Sequence, residues 1–266
     1  MYKLLYTSFI LLCFFACSPV NSIKKNYRLF NDYEQKLADS LISYALEHEA
    51  LYSLLDTLKP MSSVKFIQLP LLSTNQQQVD SAKQVLDIYQ KIINQLSYND
   101  WEFVLNPFER NDSIYKNFEI YVVRKSRMSK VIEMNALFYN SLGIHKNSKP
   151  AQILAITEFE QKYNRWRSYG YLFGYPNYAV DFFVKAGKEQ DSTKQFVKRD
   201  FFHVPVNAAS SGYFTYAVPK GYIFTAADSV LYSKAQQTLE NYRSNKQKYV
   251  TQTGIKAVKM WINQGK

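Results

Sequence analysis

Between residues 31 and 58 the apolar side chains return every three or four positions, through Leu37, Leu41, Tyr44, His48, Leu51, Leu55 and Leu58. That period predicts one long amphipathic helix, capped by Asn31 or Asp32 and stopped by Pro60. A short apolar run predicts a strand over 64–69, ended by Pro70. Helical spacing resumes over 76–96, through Val79, Ala82, Leu86, Tyr89, Ile93 and Leu96. Strands are predicted over 101–105 and 118–124, the second placing Phe118, Ile120 and Val122 on one face. A helix over 129–142 closes at Gly143. Pro150 opens another, predicted to run unbroken through Ile156, Phe159, Tyr163, Trp166, Gly170 and Phe173. Gly174 ends it, and Pro176 starts the next, over 176–184. Residues 196–206 and 213–218 read as a hairpin around 207–212, followed by a polar helix over 226–251 and a short one over 255–262. No internal repeat is visible, and no linker after residue 30. The pattern predicts a single α+β domain over 31–266, helix-dominated, with a small antiparallel sheet.

Before residue 31 the pattern changes. Lys3 precedes a nearly unbroken apolar run over 4–16, which ends in Phe14-Phe15-Ala16-Cys17 and is followed by Ser18-Pro19. A run of this length is an export signal and is short for a bilayer span. A small residue followed by Cys resembles the bacterial lipobox, with Phe14 standing where that motif usually has Leu. The resemblance implies cleavage before Cys17, lipid on its thiol, and a polar tether over 17–30. Ser18, in place of Asp, resembles the sorting signal of Gram-negative outer-membrane lipoproteins. The expected location is therefore the outer membrane, facing the periplasm or the cell surface.

Composition narrows the chemistry. The two cysteines are Cys13 and Cys17; the leader and the anchor use both. The mature domain is then left without a disulfide, a thiolate metal site or a Cys nucleophile. The formal charge of +11 is spread over dispersed lysines without a basic stripe, so no nucleic-acid partner is expected. Lys24 and Lys25 follow the anchor, where they can meet anionic headgroups.

Two stretches stand out as candidate sites. In the first, His48-Glu49-Ala50-Leu51-Tyr52 lacks the second His of a HExxH zinc helix. His48 reads as a buried core histidine and Glu49 as solvent-facing. Lys59, Ser62 and Ser63, at the following helix-to-strand turn, could instead line a polar cleft with His48. In the second, 165–183 holds the densest aromatic and glycine punctuation in the chain. It reads either as a packed helix corner or as a ligand pocket walled by Tyr169, Tyr171 and Tyr175 and closed by Asp181. Literal Ser-x-x-Lys matches at Ser62–Lys65 and Ser113–Lys116 lack their partner motifs. His48, His145 and His203 show no ligand spacing, so neither a metal nor a cofactor is expected. Asp-Ser/Thr triplets resemble a bacterial O-glycosylation sequon; Ser113 and Ser192, read as lying in polar loops, are its candidate acceptors.

The stretches around 49–63 and 169–183 are similar to those of an uncharacterised group of bacterial exported proteins, a resemblance that carries no chemistry. The function expected from all this is a non-enzymatic envelope lipoprotein that binds a partner protein, a glycan or a small ligand. The alternative is a hydrolase or lyase acting on an envelope polymer, its carboxylates drawn from distant segments.

Overall fold

Asn31 starts the first helix for a local reason. Its side chain accepts the N–H of Glu34 at 2.9 Å, while the Glu34 carboxylate accepts the N–H of Asn31 at 3.1 Å, a reciprocal cap. The structure, a computed structural model, describes Tyr27 and residues 29–252 and 254–265. The predicted leader, Cys17 and most of the tether lie outside the described residues.

Ten helices and three small antiparallel sheets follow among the described residues. The helices are α1 (Asp32–Glu47), α2 (Leu51–Leu54), α3 (Gln76–Leu96), α4 (Lys125–Met134), α5 (Ala136–Ser141), α6 (Pro150–Phe159), α7 (Lys162–Leu172), α8 (Asn177–Thr193), α9 (Ala226–Lys246) and α10 (Ala257–Gln264). The strands are β1 (Met61–Leu69), β2 (Trp101–Pro107), β3 (Lys116–Arg124), β4 (Arg199–Val204) and β5 (Phe214–Pro219), with a two-residue pair, β6 (Val250–Thr251) and β7 (Gly254–Ile255). Helix dominates, and the class is α+β as the pattern predicts.

The main sheet has the order β1-β3-β2, so β3 is central and buried on both faces. Alternation along β3 divides the core in two. Phe118, Ile120 and Val122 join Phe103, Val64 and the fully buried Trp261 in a core shared with α1, α3 and α10. Tyr121 and Val123 face the other way, into a second core with Met128, Ile132, Tyr139, Ile153 and Leu172. The β4–β5 hairpin packs on α8 and belongs to the first core through Phe202, Val204, Phe214 and Tyr216.

Four predicted helices are shorter than the pattern suggests; the simplest case is the polar helix over 226–251, which ends at Lys246 and gives way to a 3-10 turn and β6. The first helix stops at His48, which turns to extended backbone; its ring Nδ1 joins its backbone N–H on the Tyr44 carbonyl, at 2.8 Å and 3.2 Å. The ring therefore adds a second hydrogen bond to a carbonyl that the His48 backbone N–H already holds. The buried face is displaced by one position, onto Ala38, Leu41, Ile42, Ala45 and Leu46, and Tyr44 is exposed. His48 is thus not the core histidine expected. It is half-exposed, stacked on Tyr44 at 3.9 Å with the edge of Tyr213 at 4.4 Å between ring centres. The helix over 129–142 begins earlier and kinks at Asn135, whose side-chain amide donates to the Val131 carbonyl and so competes with the helical ladder. The helix from Pro150 breaks at Glu160 and Gln161, both extended, which leaves Phe159 exposed and lets α6 and α7 pack on each other.

Candidate functional site

The two stretches singled out in the sequence meet in space. Gly174 ends α7 with φ of +78°, a left-handed conformation that glycine adopts without strain. A Cβ there would come within 2.8 Å of Pro60 Cδ and 3.1 Å of the Leu58 carbonyl, so the aromatic corner sits directly on the 58–60 turn. Gly170 serves the corner from the other side, since a Cβ at this position would lie 2.8 Å from a Val180 methyl. Its absence is what lets α7 and α8 approach.

Under that corner lies Lys59, with 0% of its surface exposed. A lysine is almost never fully buried unless paired. Its Nζ donates to Glu49 Oε2 at 2.6 Å and is surrounded by rings, with Phe214 at 4.3 Å, Phe173 at 5.2 Å and Tyr175 at 5.4 Å. Burial lowers the amine pKa, and the Glu49 charge and hydrogen bond act against that shift. Glu49, expected in solvent, is turned inward because the helix break at His48 re-aims it. Its other oxygen accepts the Ser63 N–H at 3.3 Å and its carbonyl accepts the Ser62 hydroxyl at 3.3 Å. Ser62 also shares a 2.8 Å hydrogen bond with Ser53, whose hydroxyl reaches the Lys59 carbonyl at 3.2 Å. Lys59, Ser62 and Ser63 therefore hold one another and Glu49, and the turn is internally satisfied.

Glu119 completes this polar cluster from β3. It stands between Phe66 and Asn106 in the strand register and is buried. Burial pushes its carboxyl up to about 7; the Ser63 hydroxyl offsets part of that and the Glu49 charge adds to it. Tyr121, next on the same face, lies beside Tyr169, whose hydroxyl donates to Glu158 Oε2 at 2.6 Å. Burial raises the Tyr169 phenol first, and the Tyr121 and Glu158 oxygens add to it.

On the outer side of the corner is a cleft of about 360 Å³ between α7, α8 and the hairpin. Trp166, Tyr169 and Phe173 wall it on one side, Ala179, Val180 and Phe183 on another, and Phe201, Thr215 and Ala217 on the hairpin side. Tyr175 lies at its floor, half-buried, its ring stacked on Phe214 and next to Lys59. The volume falls in the range of small-molecule sites, roughly 300–1,000 Å³, and the lining is mostly aromatic.

Of the pocket residues expected from sequence, Tyr169 and Tyr175 line this cleft. Tyr171 does not: it is buried in the second core, where its hydroxyl accepts from Arg167 at 2.8 Å. Asp181 closes nothing; it is ion-paired with Arg167 and exposed. His48 stands apart from the buried lysine, its ring against Tyr44 and the edge of Tyr213. Ser113 lies in an exposed bend, whereas Ser192 sits in the last turn of α8 and not in a loop; its hydroxyl donates to the Glu189 carbonyl. Among the described residues no group of three His, Cys, Asp or Glu side chains is placed to hold a metal, and no helix is long and apolar enough to cross a membrane.

Glu119, Phe214 and Trp166 were missed as site residues. Glu119 carried a readable signal, as the one carboxylate inside an otherwise apolar strand. Trp166 falls inside the aromatic stretch over 165–183 without being distinguished there, and Phe214 carries no local signal, because only long-range packing selects it from many aromatics. No family profile matches the chain, and no curated protein or solved structure matches it significantly.

Proposed function

We propose that this chain is an outer-membrane lipoprotein, tethered through Cys17, whose domain binds an apolar ring- or chain-bearing small ligand in the cleft between α7, α8 and the hairpin. The observation that carries the reading is the cleft itself: rings on three sides, held by a corner that the Lys59–Glu49 pair supports from behind. Such walls bind without much loss of side-chain freedom. A polymer-cleaving enzyme would need its acid or base within reach of substrate. Lys59 and Glu119 are buried and do not line it, and the Tyr169 phenol, which does, is raised by burial and held on Glu158, which favours binding over hydrolysis or elimination.

The test uses the tryptophans. Trp166 lines the cleft, while Trp101 and Trp261 are buried in the first core. Titration with bromododecanoic acid and with bromonaphthalene should quench Trp166 saturably, because bromine quenches only at contact. Ala217→Leu, which fills the hairpin side of the cleft, should weaken that quenching by about tenfold or more. Equal quenching in both proteins, or none in the wild type, would overturn the proposal.

A further inference from the structure

The hairpin wall of the cleft ends in a cation. Along β4 the side chains of Arg199, Phe201 and His203 share one face, while Phe202 and Val204 point into the first core. Phe201 lines the cleft, so Arg199 stands on the same face, about 7 Å further along the strand. Its guanidinium lies over the Phe196 ring at 4.7 Å and within 6.0 Å of the centre of Phe183, a cleft wall that is itself 38% exposed. Arg199 is thereby at the rim of the cleft, beside its α8 wall.

The side chain is held there with donors to spare. Its Nε donates to the Val197 carbonyl at 3.1 Å, and among the described residues it has no ion pair and no further hydrogen bond. Arg165 and Arg167 on α7 differ in this, being paired with Glu109 and Asp181. Lys162, over the Trp166 ring at 4.8 Å, is likewise taken by Asp191. No charged side chain lines the cleft itself. On its walls the Thr215 hydroxyl is engaged by His203 Nδ1 at 2.8 Å, and the Tyr169 hydroxyl by Glu158. A guest therefore meets rings along its length and an unpaired guanidinium at the rim. That group is always charged, and its planar fork matches a carboxylate in shape. Packing on the rings restricts its rotamers, which lowers the ordering cost of gripping an anion.

We propose that the ligand of the cleft is an amphiphilic carboxylate, its chain or ring between α7, α8 and the hairpin and its head on Arg199. This rests on the cleft reading above and names the class of ligand that the cleft takes. A wholly apolar ligand would make no use of Arg199.

Bromonaphthalene, which has no head group, first reports cleft occupancy by quenching Trp166. Decanoic acid and decanol, which share a chain and differ in the head, are then titrated as competitors at neutral pH, where the acid is ionised. In the wild type, decanoate should displace the quencher at a concentration about fivefold or more below that of decanol. Arg199→Gln should remove the preference by weakening decanoate. Arg199→Lys should restore it in part, because an ammonium keeps the charge and loses the fork. Lys220→Gln, which removes a charge that is paired with Asp200, should leave the preference intact. Decanoate no better than decanol in the wild type, a preference that survives Arg199→Gln, or one lost equally in Lys220→Gln would overturn the inference and leave the cleft reading standing. Absence of quenching by bromonaphthalene would overturn the cleft reading, and this inference with it.

Discussion

Lys59 and Glu49 meet at 2.6 Å beneath the Phe173, Tyr175 and Phe214 rings, and this pair supports the floor of the cleft. Removing either member leaves an uncompensated charge where water is scarce, and that loss exceeds what the intact pair contributes. Lys59→Met should cost about 3–5 kcal/mol, because it also leaves Glu49 facing Glu119 without a cation. Lys59→Met with Glu49→Leu should recover part of the loss. Urea unfolding of the two single variants and the double variant closes the cycle; strictly additive losses would show that the two side chains do not act as a pair.

Glu119 makes stability pH-dependent. Its carboxyl is raised from 4.5 to about 7 in the folded chain. Between those values the folded chain holds a proton that the unfolded chain has released. Stability should therefore fall as pH rises through that window and level off above it, by about 3 kcal/mol at most. Glu119→Gln should flatten the dependence. Melting curves across the window check this, and an unchanged slope in the variant would assign the effect elsewhere.

Gly174→Ala should damage the corner specifically. The substitution combines a left-handed backbone with a contact of 2.8 Å to Pro60, and overpacking of this kind costs about 1–3 kcal/mol. Gly143, also at positive φ but with open space around it, is the control. Its replacement by Ala should cost less, about 1 kcal/mol. Equal losses at both sites, in denaturant titrations, would mean that the corner does not bear on the turn beneath it.

Cys17→Ser should abolish fatty-acid incorporation and leave either a precursor with its leader or a soluble form. Metabolic labelling with palmitate reads this directly. Wild-type chain that takes up no label would remove the lipoprotein reading while leaving the cleft and its ligand class to be tested by their own experiments.

Local chemistry carried much of the fold. The Asn31 cap, the spacing over 76–96, the alternation of Phe118, Ile120 and Val122, and the stop at Gly174 are written in short windows, where propensity and period suffice. The helix over 31–58 and the one from Pro150 are each broken in two, although their periodicity runs on. Periodicity continues across a break whenever the residues after it happen to fall in phase, and only tertiary packing decides between one helix and two. The same limit hid the site. The turn around Lys59 and the corner around Tyr175 were each legible as unusual, but nothing local says that they touch. That contact depends on the sheet turning the 58–60 turn and the α7–α8 corner toward each other, with two glycines permitting the approach. Residue types could be read from the chain; which of them share a wall, and whether Glu49 faces water or a buried lysine, depended on long-range packing alone.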